Sequence, residues 1–142
     1  EVTETAAIED IGSTADRLAA LRADGHRIAI DDFGTGYASL ALAVRLPADY
    51  LKIDRSFVTD LPDSANDVAI VEAMLAIAKS LGMYTIAEGI ETAAQHEFLL
   101  RAGCTEGQGY YYARGLPAVE IERMLLPNPR HEPSRLRLVP PK

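Results

Sequence analysis

Ile28-Ala29-Ile30-Asp31-Asp32-Phe33-Gly34-Thr35-Gly36-Tyr37 is the stretch on which the reading of this chain turns. Ile28-Ala29-Ile30 has the apolar, β-branched character of a buried strand, and it runs straight into two adjacent carboxylates. Like charges side by side repel, and both lose hydration where the strand end is enclosed. A divalent cation with oxygen ligands relieves both costs. The two glycines one residue apart then permit a sharp turn or a close approach to a ligand. A solvated strand end followed by a plain turn is the competing reading of the same residues.

Working outward, strand-like runs recur over residues 27–31, 50–53 and 83–87, with a weaker one at 104–107. Helical spacing fills the gaps. Residues 14–24 place Leu18 and Leu21 on one face and stop at Gly25. Residues 65–81 place Val68, Val71, Leu75 and Ala78 together, with Gly82 as a C-cap. Thr92-Ala93-Ala94-Gln95 is a capping box ahead of a helix that Gly103 ends, and Pro117 is expected in the first turn of a last helix through Leu126. Alternating strands and helices imply βα units on a parallel sheet, open as either a doubly wound fold or a (β/α)8 barrel.

The strands share an ending that propensity does not require. Asp31 and Asp32 follow the first run, Asp54 follows Leu51-Lys52-Ile53, and Glu88 follows Thr85-Ile86-Ala87, with Glu91 three further on. Glu1-Val2-Thr3-Glu4 reads as the end of another such strand. In parallel α/β folds the C-terminal strand ends form one rim, where sites gather. Glu1, Asp31, Asp32, Glu88 and Glu91 are therefore expected to converge. Two bridged metal ions would stabilise that charge and suit phosphate-ester hydrolysis. Lys52 is a strand-borne cation within reach of the same rim. Taken singly, each carboxylate also fits a cap, a salt bridge or a solvated end, and Asp54 is best read as the N-cap of a short helix at 55–59. His26, His96 and His131 show no ligand spacing, which favours Mg²⁺ or Mn²⁺ over softer metals. There is no Walker A or Rossmann fingerprint, and Asp32-Phe33-Gly34 lacks every other kinase signature.

The 142 residues suffice for one domain with a core, with 48% hydrophobic and 25% charged residues. A net charge of -7 argues against coating a nucleic-acid polymer. Residues 127–142 hold four basic side chains and one acidic, a net of +3 that leaves -10 on residues 1–126. With five of the eight prolines, that stretch reads as a disordered tail outside the fold. The single cysteine, Cys104, rules out an internal disulfide and fits a reducing compartment. No apolar run is long enough to span a bilayer. The chain begins at Glu1 without an initiator Met, so an absent signal peptide says little.

The motifs together resemble the EAL-domain cyclic di-GMP phosphodiesterases. They are Glu1-Val2-Thr3-Glu4, the run from Asp31 through Gly34-Thr35-Gly36 to Leu40, Lys52-Ile53-Asp54-Arg55-Ser56-Phe57, Ala87-Glu88-Gly89-Ile90-Glu91-Thr92 and Gly107-Gln108-Gly109-Tyr110. The resemblance covers residues 1–126. It implies a TIM-barrel-like (β/α)8 fold and hydrolysis of cyclic di-GMP to linear pGpG at a two-metal Mg²⁺ or Mn²⁺ site. By position, Glu1, Asp31, Asp32 and Glu88 resemble metal ligands, with Asp31 bridging. Lys52 resembles the lysine at the hydrolytic water, and Glu91 and Gln108 resemble residues completing the site. Glu4 resembles the glutamate anchoring the loop that carries Phe33, Gly34, Thr35 and Gly36, a loop tied to metal binding and dimerisation.

The chain departs from the family pattern in two ways. The namesake Glu-Ala-Leu strand and an asparagine ligand are not in it and are expected upstream of Glu1. A complete barrel needs about 250 residues, so this chain is roughly its C-terminal half. Gly115 stands where the family usually has proline. A half barrel exposes strand edges, so the chain is expected to be poorly stable alone or to pair with a second copy or with the N-terminal half. The resemblance also implies a cytoplasmic site of action, a parent that could be membrane-anchored through upstream regions, and an upstream sensor or diguanylate cyclase domain. The alternative from another class is an inactive relative serving as a cyclic di-GMP-binding or protein-interaction module.

Overall fold

The computed structural model describes residues 1–3, 6, 10–36, 39–125 and 137–138. Among the described residues six strands form one sheet in sequential order, every neighbouring pair parallel. They are β1 (Val2–Thr3), β2 (Ala29–Phe33), β3 (Tyr50–Ile53), β4 (Tyr84–Ala87), β5 (Glu106–Gly107) and β6 (Arg137–Leu138). The helices are α1 (Ile11–Ala23), α2 (Ser39–Arg45), α3 (Arg55–Val58), α4 (Ala65–Ser80), α5 (Ala93–Ala102) and α6 (Ala118–Leu125).

Local chemistry sets most boundaries. The Thr92 hydroxyl accepts from the Gln95 amide at 3.2 Å and Gln95 Oε1 accepts from the Thr92 amide at 2.9 Å, the reciprocal capping box that starts α5. Gly103 ends it in the left-handed region at φ 91°. Asp54 caps α3, accepting from the Ser56 amide at 2.9 Å. Helix α1 starts three residues earlier than its spacing suggests, because Asp10 caps it by accepting from Ser13. Helix α2 was not anticipated. Strand β2 runs two residues past the expected end at Asp31. Of residues 127–142, read from the sequence as a loose tail, Arg137–Leu138 pair with Glu106–Gly107, and the remainder lies outside the described residues.

The β2–β3 register explains the paired aspartates. Ile30 aligns with Leu51 and Phe33 with Ile53, so three steps on β2 oppose two on β3. One extra residue makes a bulge, and Asp32 sits in it at φ 57°, a left-handed conformation that Asp tolerates better than most. Ile30 and Phe33 consequently both reach the apolar core, 1% and 3% exposed, while Asp31 points to the opposite face.

Side chains two apart share a face of a strand. One face buries Ile30, Leu51, Ile53 and Ala87 together with Val71 and Leu75 of α4. Projecting the registers along the strands puts Glu1, Asp31, Lys52, Glu88 and Gln108 on the other face.

The N-terminal strand ends are clamped by Asp49. Its carboxylate accepts from the Ile28 amide at 2.9 Å, Arg22 at 3.0 Å and Arg27 at 3.2 Å. Burial opposes its charge. The Ile28 hydrogen bond, then Arg22 and Arg27, outweigh that and hold the carboxyl below its ordinary value. A depressed folded-state value contributes stability above the ordinary carboxylate range and loses it on acidification. Asp49→Asn is therefore expected to cost about 1–2 kcal/mol at pH 7. Denaturant titrations at pH 7 and pH 3 should show the gap from the parent chain narrowing at the lower pH.

Candidate active site

The charged face draws on four strands. Glu1 precedes β1, Asp31 lies in β2, Lys52 in β3, and Glu88 directly follows β4, its amide donating to Ile53 at 3.1 Å. Lys52 is 4% exposed and its ammonium is the centre of the cluster. Nζ lies 2.6 Å from Glu88 Oε1, 2.8 Å from Asp31 Oδ1 and 3.3 Å from Glu1 Oε1. Burial disfavours its charge, but hydrogen bonds and charge from Asp31 and Glu88 prevail and hold it above the ordinary lysine value. Lys52 is thus a protonated donor at neutral pH and not a base. Gln108 follows β5, where its amide donates to Ala87 at 2.9 Å, and its Nε2 donates to Glu88 Oε1 at 2.8 Å. Glu88 is held from two sides.

The other residues singled out by sequence sit apart. Asp32 is exposed; its amide donates to Asp31 Oδ1 at 3.1 Å, and its carbonyl accepts from the Thr35 hydroxyl at 2.8 Å. Phe33 is a core residue. Gly34, at φ 94°, sits where a side chain would collide with Met74 and press on Phe57, so its first role is close packing. Thr35 and Gly36 are exposed in the turn. Glu4 lies outside the described residues. Glu91 is drawn away from Lys52 to Arg55, 2.9 Å from it, with Glu91 42% and Arg55 61% exposed. Asp54 is the expected cap and Cys104 is buried.

Arg55 and Tyr110 were missed as site residues. With Glu91 and Gln108 they line a cavity of about 180 Å³ on the same rim. Arg55 was legible only as part of the Lys52–Phe57 motif, where nothing marks it as facing a cavity.

The donor set around Lys52 is all oxygen and converges within 3.3 Å of one point, which fits a hard divalent ion by chemistry. It is not a ready cage. Among the described residues no three His, Cys, Asp or Glu side chains are grouped as ligands of one ion, and the carboxylates close on the ammonium instead.

Comparison with known proteins places this geometry in a family. The EAL domain family model matches residues 1–115. The chain is 47% identical over 121 residues to the bifunctional diguanylate cyclase/cyclic di-GMP phosphodiesterase MucR of Pseudomonas aeruginosa, covering 85% of this chain and 18% of that protein. Its fold superposes on the crystal structure of the EAL domain of Mycobacterium smegmatis DcpA with a TM-score of 0.81 at 42% identity, over 87% of this chain and 55% of that one. It also superposes on Klebsiella pneumoniae BlrP1 in a manganese/cyclic di-GMP complex, with a TM-score of 0.74 at 37% identity, over 80% of this chain and 29% of that one. The chain thus spans about half of the solved EAL domain and less than a fifth of its curated relative. The motifs, the parallel sheet of a partial TIM-barrel-like fold and these matches agree: the chain belongs to the EAL domain family.

Proposed function

We propose that this chain is the C-terminal part of a domain that hydrolyses cyclic di-GMP to linear pGpG. The observation that carries the reading is the meeting of Glu1, Asp31 and Glu88, from separate strands, on the buried Lys52 ammonium. Relatives named as phosphodiesterases and a manganese/cyclic di-GMP complex of BlrP1 support it.

Glu1, Asp31, Asp32 and Glu88 would hold the Mg²⁺ or Mn²⁺ pair. Bound there, divalent ions would supply an activated water and offset charge developing on phosphorus. Water adds to phosphorus, the P–O3′ bond breaks and O3′ leaves with a proton. Lys52 keeps the carboxylates converged, and an N–H freed from them once they hold metal ions would be offered to the water or a phosphate oxygen. Gln108 fixes Glu88 Oε1, so that this carboxylate meets the reacting centre in one orientation. Glu91 borders the same rim through Arg55.

A second reading, a non-catalytic cyclic di-GMP-binding or interaction module, is favoured by the carboxylates closing on Lys52 rather than forming a ligand cage. Cyclic di-GMP hydrolysis with Mn²⁺, assayed for this chain and for one lengthened by the upstream barrel strands, separates the two. Turnover by the lengthened chain is expected, and its absence would leave the binding module. The proposal also places the protein in the cytoplasm. It assigns the open sheet edges to a second copy or the remaining barrel strands, and allows an upstream sensor or cyclase domain such as the one in MucR's name. Among the described residues no helix is long and apolar enough to cross a membrane.

A further inference from the structure

We infer that the segment around Arg137–Leu138 is a stand-in strand: it occupies the edge of β5 that the first strand of a complete barrel would take, and the two exclude each other. The inference rests on the domain being a closed barrel and not on the chemistry at its rim.

The EAL domain family model ends at residue 115, so β5 is the last described strand inside it and β6 lies beyond. The described strands follow one another in sequential order, all parallel. A sheet of that kind closes into a barrel when its last strand pairs with its first. The outer edge of β5 is therefore the seam of the closed barrel. In this chain the seam is already filled. Glu106 aligns with Arg137 and Gly107 with Leu138, in the parallel sense that a barrel strand would have. An edge offers each of its N–H and C=O groups once, so it holds one partner at a time.

Sequence and connection suit the segment to that role. Residues 108–136 join β5 to β6 and include α6, enough chain for a parallel crossover. Leu136-Arg137-Leu138-Val139 has a strand-like composition, and Pro140 and Pro141 follow, which offer a ladder no donor. The ladder is thus short. Pairing over two residues covers an otherwise bare edge, yet it yields to a barrel strand that offers more hydrogen bonds along the same line.

One amide reports which strand holds the seam. Backbone amides point alternately to either side of a strand. The Gln108 amide donates to Ala87, at the end of β4, at 2.9 Å. The Gly107 amide, one residue earlier, therefore faces β6.

The test follows amide hydrogen exchange by NMR in the ¹⁵N-labelled 142-residue chain and in two variants. One variant lacks residues 127–142. The other keeps the full length and carries Leu136→Gly, Arg137→Gly, Leu138→Gly and Val139→Gly together. Gly107 is expected to exchange at least about tenfold faster in both, the effect of losing one backbone hydrogen bond, while Gln108 changes less. In the chain lengthened by the upstream barrel strands, Gly107 should stay slow while the amides of Arg137 and Leu138 exchange as in an open chain. Unchanged Gly107 exchange in both variants, or Gln108 accelerated as much as Gly107 in both, would overturn the inference. So would protected Arg137 and Leu138 amides in the lengthened chain. Gly107 exchange that accelerates on dilution of the parent chain would assign the strand to a second copy and overturn it as well. None of these readouts needs turnover, so a lengthened chain that fails to hydrolyse cyclic di-GMP would retire the phosphodiesterase reading and leave the stand-in strand untouched.

Discussion

Lys52→Met is expected to lower the melting temperature of the metal-free chain by about 10 °C, corresponding to about 3 kcal/mol. The side chain is 4% exposed and its ammonium lies within 3.3 Å of three carboxylate oxygens, those of Asp31 and Glu88 on side chains that are 17% and 19% exposed. Methionine fills much of the same volume, so the loss is one of charge rather than packing. Glu1, Asp31 and Glu88 would then face one another with nothing between them. Millimolar Mn²⁺ is expected to narrow the gap, since a dication restores the missing positive charge among oxygen ligands. Thermal melts of parent and variant in EDTA and in Mn²⁺ make the comparison. Equal melting temperatures in EDTA would mean that Lys52 does not hold the cluster. In the lengthened chain the same substitution should reduce turnover of cyclic di-GMP at least about 100-fold.

Gly109→Ala is expected to cost about 3–4 kcal/mol. A Cβ at that position would overlap the backbone N, C and O of Ile90. The Ile90 backbone has no easy retreat. Its amide donates to Gln108 at 3.1 Å and its carbonyl accepts from Tyr111 at 2.9 Å. The two loops following β4 and β5 are therefore locked face to face, and separating them would pull Gln108 off Glu88. Gly115→Ala is the control. Nothing lies within 4 Å of its would-be Cβ, so it should be neutral within about 0.5 kcal/mol. Denaturant midpoints of the two variants would decide the matter. A large loss in both would point to a general intolerance of this region rather than to the contact with Ile90.

The central strands β2, β3 and β4 were legible because each carries a short apolar run closed by charge. Thr92 with Gln95, and Gly103, carry local signals that need no tertiary knowledge. Helix α2 was missed because Ser39–Arg45 is only seven residues long, too short for its period to stand out beside a glycine-rich turn. The Asp49 clamp was missed because its partner Ile28 is 21 residues away. Sequence grouped Glu91 with the rim acids, yet its partner is Arg55, a choice set by where the β4 loop bends at Gly89. The convergence on Lys52 was foreseen as a shared rim; which carboxylates reach it depends on the side of the sheet each strand presents, and that is fixed by register.

The extra residue at Asp32 makes β2 an odd-numbered path beside an even one. Substitution at Asp32 leaves the count intact, so Phe33 still arrives among the hydrophobic helices and Asp31 still arrives at the lysine. Losing that one residue would restore plain alternation, with the aromatic ring still opposite Ile53, but only one carboxylate would then fit between the two hydrophobic anchors. The irregularity is thus what allows two consecutive acids to sit within a strand that returns to its oily side immediately afterwards.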